Sequence, residues 1–539
     1  MTDIPERVQA ALEHRARQQH ALQWNDFIHR YVLNVAFPAK ISPKDKTKRV
    51  KTDKDLINAR LLENGILFED LQTVPQLQVG VAQVVDNLMR TGCFHSVQVR
   101  LGKKVNEQQQ QGQGQGQGQT NEKENSKTSS DGGPQHELDV ILDEKNWYSL
   151  YIGGGLKHEG LEGSMNNATK LPSLQFETSA TLLNLTGCLD QTQLRYTVDQ
   201  SSISTLFLNH ERPLYSWLGD DYALGEFILA LPRGSQYSLG LQAMLDTVDY
   251  EWTRSYKEYQ RIIGCRLDNS SRVGRPEMAP GYYWGLDWQL AWRDVIPRKH
   301  STLPYAADAS HEIVASSGSS VTHSLSWELR TNGSYLDQRF QPTAGVDWHS
   351  KLQLSGPPGD IGFAKAQGGL AIHLPLGTAM ALHGTCAAGI LQPLSYSGLC
   401  KPPTISDRFF VGGPMQLRGF LPAGIGPRTK VGGSTSPGGD ALGGHFFYTT
   451  TVAASMSPPG IMGEYGVRMF GFCNAGTLVG TIDGVPLAVI ANSTRLSTGV
   501  GISAATPMGR LEATYAWPLR YGPRDARRNL QFGFGFNFG

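Results

Sequence analysis

The sequence predicts a membrane all-β fold, a 16-stranded antiparallel transmembrane β-barrel preceded by a small α/β domain. Three observations predict it. Between residues 147 and 538, large apolar residues alternate with small or polar ones. About sixteen segments there are strand-like, many near the ~9–11 residues that a tilted membrane strand needs. At the C-terminus, Leu530, Phe532, Phe534, Phe536 and Phe538 share one face, opposite Gln531, Gly533, Gly535 and Asn537. In water such a strand is an aggregation hazard; in hydrocarbon the hazard disappears.

Mean hydropathy is low, −0.30, which does not argue against a barrel, because its strands alternate lipid-facing and lumen-facing residues. The 61 glycines exceed the usual share. A net charge of +1 gives no electrostatic reason for a nucleic-acid partner. No run of 18 apolar residues predicts a transmembrane helix.

The first residues, 1–28, hold a predicted helix over 5–27, with Val8, Ala11, Leu12 and Ala16 at helical spacing. No apolar stretch of a secretory signal opens the chain, and Asp3, Glu6 and Glu13 are unlike a transit peptide. These features favour an organelle outer membrane over a bacterial one.

Residues 29–146 predict the α/β domain. Tyr31 to Phe37 reads as a strand. Thr52-Asp53 caps a helix carrying Leu56, Ile57, Leu61 and Leu62. Leu77, Val81, Val84, Val85, Leu88 and Met89 form the apolar stripe of a second helix, stopped by Thr91-Gly92. Phe94–Leu101 and Leu138–Leu142 alternate as strands. Between them, about 104–135, lies a polar Gln/Gly-rich insert of disordered composition.

Residues 147–539 carry the barrel pattern. Trp284, Leu286, Trp288, Leu290 and Trp292 line one strand face, opposite Gly285, Asp287, Gln289, Ala291 and Arg293. Leu325, Trp327 and Leu329 repeat the pattern. So do Leu511, Ala513, Tyr515 and Trp517, opposite Arg510, Glu512 and Thr514. Alternation alone does not say whether the aromatic face meets a core or lipid. The first barrel strand, about Trp147 to Lys157, contains Gly153, Gly154 and Gly155, which weaken strand pairing. A Gly/Pro-rich loop spans about 392–441, long enough to have a function of its own. If it folds into the lumen, its Arg418 needs an acceptor on the wall. The six cysteines have no close CxxC spacing, and neither Gly-x-Ser-x-Gly nor His-Glu-x-x-His occurs. Nothing here predicts an enzyme, a metal or a cofactor.

Gly412-Gly413, followed by Leu417-Arg418-Gly419-Phe420, resembles the loop signature of the BamA-type insertase superfamily. Phe472-x-Asn474-x-Gly476 resembles that family's barrel-wall motif, which faces the loop arginine. Gly499-Val500-Gly501, Thr506 to Leu511 and Tyr515 to Leu519 follow in family order. The wall position that is often Asp is Asn474. Its carbonyl can accept from Arg418, with another carboxylate completing the pairing. The stretch Arg90-Thr91-Gly92-Cys93-Phe94 resembles a polypeptide-transport-associated (POTRA) domain. A single such domain without a signal peptide is similar to the mitochondrial sorting-and-assembly branch.

This resemblance implies insertion of β-barrel precursors into the mitochondrial outer membrane, with the POTRA domain facing the intermembrane space. It implies outer-membrane lipid and peripheral subunits of a sorting and assembly complex as partners, and no nucleic acid. It also implies a lateral seam between first and last strands, with Gly153, Gly154 and Gly155 on one side. Gln531, Gly533, Phe536 and Phe538, on the other side, resemble the β-signal of mitochondrial barrel substrates. A client strand would exchange there by β-augmentation. The alternative is a polypeptide translocation pore of the same superfamily.

Overall fold

The computed structural model describes residues 32–33, 35–45, 47, 49–63, 72–103, 136–157, 173–199, 204–214, 237–269, 282–299, 308–331, 333, 335–338, 341–377, 379–429, 438–481, 487–506 and 509–535. The expected helix at 5–27, the insert at 104–135, and Phe536 and Phe538 lie outside the described residues.

The N-terminal unit has a three-stranded sheet, β1 (Val35–Pro43), β2 (Phe94–Lys103) and β3 (His136–Glu144), two helices, α1 (Lys54–Glu63) and α2 (Val74–Arg90), and a short antiparallel ladder of Val32–Leu33 with Gln72–Thr73. β3 is central, parallel to β1 and antiparallel to β2. β1 runs later than Tyr31–Phe37 and passes through Pro38. A register shift between Ala36 and Lys40 accommodates the missing N–H. Asp53 caps α1, its Oδ1 accepting the Asp55 N–H at 3.1 Å. Ile57 and Leu61 of α1, Leu77, Val84 and Leu88 of α2, and Leu138, Val140 and Leu142 of β3 make one core.

That core is completed from outside the segment 29–146. The turn at 184–190 delivers Leu189, fully buried, into it. Asn184 (φ 52°) and Leu189 (φ 60°) are left-handed, held by the Asn184 Oδ1, which accepts the Leu189 N–H at 2.9 Å. Asn184 Nδ2 donates to Thr52 Oγ1 at 2.9 Å, and the Gly187 carbonyl accepts the Asp53 N–H at 3.0 Å.

Cys93 lies in the same core, and burial pushes its thiol up to about 11. The reactive thiolate is therefore scarce at neutral pH. We expect maleimide at pH 7.5 to modify Cys93 only after denaturation, read by mass tagging. Rapid labelling of the folded protein would mean that this core is open.

Sixteen strands form the second sheet: β4 (Tyr148–Lys157), β5 (Ser173–Leu183), β6 (Gln191–Asp199), β7 (Ser204–Leu214), β8 (Tyr237–Asp249), β9 (Tyr256–Asp268), β10 (Tyr282–Pro297) and β11 (Gly318–Thr331). They continue as β12 (Gly345–Ser355), β13 (Phe363–Pro375), β14 (Met380–Pro393), β15 (Phe446–Met456), β16 (Val467–Val479), β17 (Arg495–Thr506), β18 (Gly509–Arg520) and β19 (Leu530–Gly535). Each pairs antiparallel with its sequence neighbour. The expected number of strands is found. Closure is not: among the described residues no ladder joins β4 to β19, and both are edges. β19 pairs with β18 over six of the described residues, and β4 carries the three glycines.

The faces are now assigned. In β10, Leu286, Trp288 and Trp292 are exposed while Gly285, Asp287 and Ala291 are buried. In β11, Trp327 is 45% exposed, whereas Thr322, Ser324 and Ser326 are buried. The sheet thus turns apolar residues outward and polar residues inward. A soluble sandwich requires the reverse. This is the pattern of a barrel wall in hydrocarbon.

Candidate functional site

The connection between β14 and β15 covers 394–445, a little later than the expected 392–441, because β14 runs to Pro393 and β15 starts at Phe446. It folds against the inner wall. Phe409, Val411, Leu417, Phe420 and Ile425 of the loop pack on Ile361, Phe363, Leu391, Phe447 and Leu478 of the wall side. Each buried side chain contributes roughly 1.5–3 kcal/mol relative to exposure.

Within the loop, residues 412–420 make a tight turn. The Leu417 N–H donates to the Gly413 carbonyl at 3.0 Å, and the Gly413 N–H donates to the Phe420 carbonyl at 2.9 Å. Gly412 has φ +135°, and a Cβ there would lie 2.1 Å from the Leu421 oxygen. Gly419 has φ +89° and sits hard against the β17–β18 wall. Both positions require glycine.

Arg418 is the anchor. Its Nε lies 2.5 Å from Glu512 Oε1 on β18, whose side chain is 0% exposed. Arg510 Nη2 reaches the other oxygen of Glu512 at 3.1 Å. The Arg418 guanidinium stands 5.1 Å from the Phe472 ring centre and 5.5 Å from that of Phe470. These rings lie over Gly499 and Gly501, their partners on β17, where a Cβ would come within 2.6 Å and 2.5 Å. The glycines of the Gly-Val-Gly motif thus make room for a cation–π platform.

Asn474 has a different role from the expected one. It does not accept from the Arg418 side chain, which extends over the two phenyl rings to Glu512. Its amide, oriented by its neighbours, accepts the Arg418 backbone N–H at 2.7 Å and donates to the Ser497 carbonyl at 3.3 Å. Ser497 Oγ in turn donates to the Arg418 carbonyl at 2.5 Å. Ser497 stands at a register shift in the β17–β18 ladder, which aims it at the loop. Gly476 makes space for Leu417, since a Cβ would lie 3.2 Å from Leu417 Cδ1.

The terminal strand joins the same cluster. Gln531 lies on the edge strand, and its buried side chain points inward. Its Oε1 accepts the Gly419 N–H at 2.8 Å, and its Nε2 donates to the Phe420 carbonyl at 2.7 Å. Gly533 faces the loop tip, with room for no Cβ beyond 3.1 Å from Pro414 and Met415. On the opposite edge, Gly153, Gly154 and Gly155 pair with Glu177, Phe176 and Gln175. Tyr148, Leu150, Tyr151 and Ile152 of that strand are all exposed, so both of its faces are uncovered.

A second anchor holds the loop elsewhere on the inner face of the sheet. Asp407 receives Arg293 Nη1 at 2.5 Å, and Lys365 Nζ donates to its carbonyl at 2.7 Å. Asp440 accepts Ser255 Oγ at 2.6 Å and the Ser310 N–H at 3.0 Å. The Arg254 guanidinium lies 3.4 Å from the Phe410 ring centre. The loop is therefore strapped to β9, β10, their adjoining connections and β13 on one side, and to β16–β19 on the other. Sequence reasoning missed Asp407–Arg293 and the role of Glu512. The one usable signal for Glu512 was its place on the polar face of a strand.

Residues 193–538, well over half of the chain, match the Omp85 superfamily domain. The SAM50-like protein of Schizosaccharomyces pombe is 30% identical over 262 residues, 47% of this chain and 51% of that protein. The sorting and assembly machinery component 50 homolog of Homo sapiens is 27% identical over 265 residues, 47% of this chain and 52% of that protein. The chain thus spans about half the length of these curated relatives. The crystal structure of BamA from Haemophilus ducreyi lacking POTRA domains 1-3 superposes with a TM-score of 0.62 at 16% identity, covering 93% of this chain and 84% of that one.

Proposed function

The chain belongs to the Omp85 superfamily, and from that premise we propose that it inserts and folds β-barrel precursor proteins in the mitochondrial outer membrane. The sixteen strands form a membrane-embedded barrel, and β4 and β19 meet at a lateral seam that opens for a client. The N-terminal unit acts as a POTRA domain in the intermembrane space. Peripheral subunits of a sorting and assembly complex and outer-membrane lipid are its partners. The work is strand exchange, so neither catalytic residue nor cofactor takes part.

One observation carries this reading. The terminal strand ends the sheet, and its inward Gln531 is held by the loop that Arg418 anchors. An edge strand is paired on one side alone, so a client strand that pairs at β4 can replace it with backbone bonds traded rather than lost. The translocation-pore alternative is less well supported. The loop packs its apolar residues into the lumen side of the wall, and a passing polypeptide would first have to strip that cluster away.

Depletion of the protein, followed by an assay of newly made porin in isolated mitochondria, tests the proposal. We expect porin to accumulate unassembled while import into the matrix continues. Normal porin assembly after depletion would refute insertion and leave the fold untouched.

A further inference from the structure

A cavity of ≈190 Å³ lies between the loop and the inner faces of β13–β18. That space corresponds to about six waters at ~30 Å³ each. Three arginines line it, Arg418, Arg468 and Arg510, against one carboxylate, Glu512. Glu512 Oε1 accepts Arg418 Nε, and Oε2 forms an ion pair with Arg510 without a hydrogen bond. Arg468 has a neutral partner instead, Ser455 Oγ, at 3.2 Å. Asp337, outside the lining, acts on it and accepts the Thr343 and Ala344 N–H groups. Among the described lining residues the arginines outnumber the carboxylate by two, and Asp337 offsets part of that excess.

The neutral groups beside them form a chain, with Ser455 Oγ 2.7 Å from His383 Nε2 and His383 Nδ1 2.7 Å from His373 Nδ1. Arg510 Nε is buried without a hydrogen-bond partner. Uncompensated guanidinium groups in a confined space are costly, and their forked N–H geometry matches an oxyanion with several acceptor oxygens.

We propose that this cavity binds a small phosphate-class oxyanion, bridged between Arg468 and Arg510. The anion neutralises the lumen cluster behind the loop and competes with Glu512 for Arg418 and Arg510. Its occupancy then adjusts how firmly the loop is anchored. The site stands on this chain's own residues and is independent of the insertion reading.

The test uses the full chain in a phosphorus-free maltoside detergent at pH 8, with inorganic phosphate as probe and ionic strength held constant. We expect saturable broadening of the phosphate ³¹P line, reversed by sulfate but not by equivalent chloride. Arg468→Gln, checked for folding by heat-modifiable gel migration, should weaken binding roughly tenfold, a loss of about 1.4 kcal/mol. Wild-type broadening that does not saturate, or that chloride reverses as well as sulfate does, would overturn the site. So would a folded Arg468→Gln variant that binds like wild type. If that variant does not fold, the sulfate and chloride competition on the wild-type protein decides alone.

Discussion

Glu512→Ala is expected to destabilise the folded sheet more than Arg418→Ala. The reason is that one carboxylate serves two cations. Glu512 is fully buried between Arg418 Nε at 2.5 Å and Arg510 Nη2 at 3.1 Å. Its removal strands both guanidinium groups, and breaking a buried pair this way costs about 3–5 kcal/mol. Arg418→Ala leaves Glu512 with Arg510, so its cost should be nearer the ~1.5–3 kcal/mol of one charged hydrogen bond. The temperature at which the folded form disappears on heat-modifiable gels ranks the two. The opposite order would mean that Arg510 does not share the carboxylate. The double variant should lose less than the sum of the single losses, because both act on one contact.

Replacement of Gln531 by leucine should loosen two segments at once. Its amide satisfies the Gly419 N–H at 2.8 Å and the Phe420 carbonyl at 2.7 Å. Leucine leaves both buried backbone groups without that partner, at about 1–3 kcal/mol each. Gln531→Asn should behave almost as badly, since one methylene fewer withdraws the amide from both. The readout is amide hydrogen exchange. Protection should fall together at 413–420 in the loop and at 530–535 in β19. Faster exchange confined to β19 would show that the amide does not couple strand to loop.

The sequence carried the architecture further than the site. Period-2 alternation in β10, β11 and β18 placed residues on the correct face relative to one another. It could not say which face was outward until exposure separated Trp288 and Trp327 from Asp287 and Ser326. The Gly412–Phe420 turn was visible as a motif, because two of its glycines meet backbone demands that other residues fail. Partnerships were harder to see. Arg418 and Glu512 are 94 residues apart, and Arg293 and Asp407 are 114 apart. Such pairs exist only once the wall curves one strand beneath the loop. Asn474 was correctly suspected of touching Arg418, but a side-chain inventory does not reveal that the contact is with the peptide. Gln531 was placed at an edge because β19 is one, and alternation with Phe532 already implied that its amide turns inward.

The turn that carries Leu189 bears on how the chain is to be divided. A boundary at residue 146 is natural along the sequence, where an α/β pattern gives way to a repeating one. In space that cut runs through a core, because Leu189 fills it and Asn184 and Gly187 tie it to Thr52 and Asp53. A fragment ending there would carry an empty leucine-sized socket, a defect of about 2–5 kcal/mol by analogy with large-to-small core substitutions. The two units are therefore not a bead and its thread. The first is finished only when a hairpin of the second has formed, so the order of synthesis is not the order of completion.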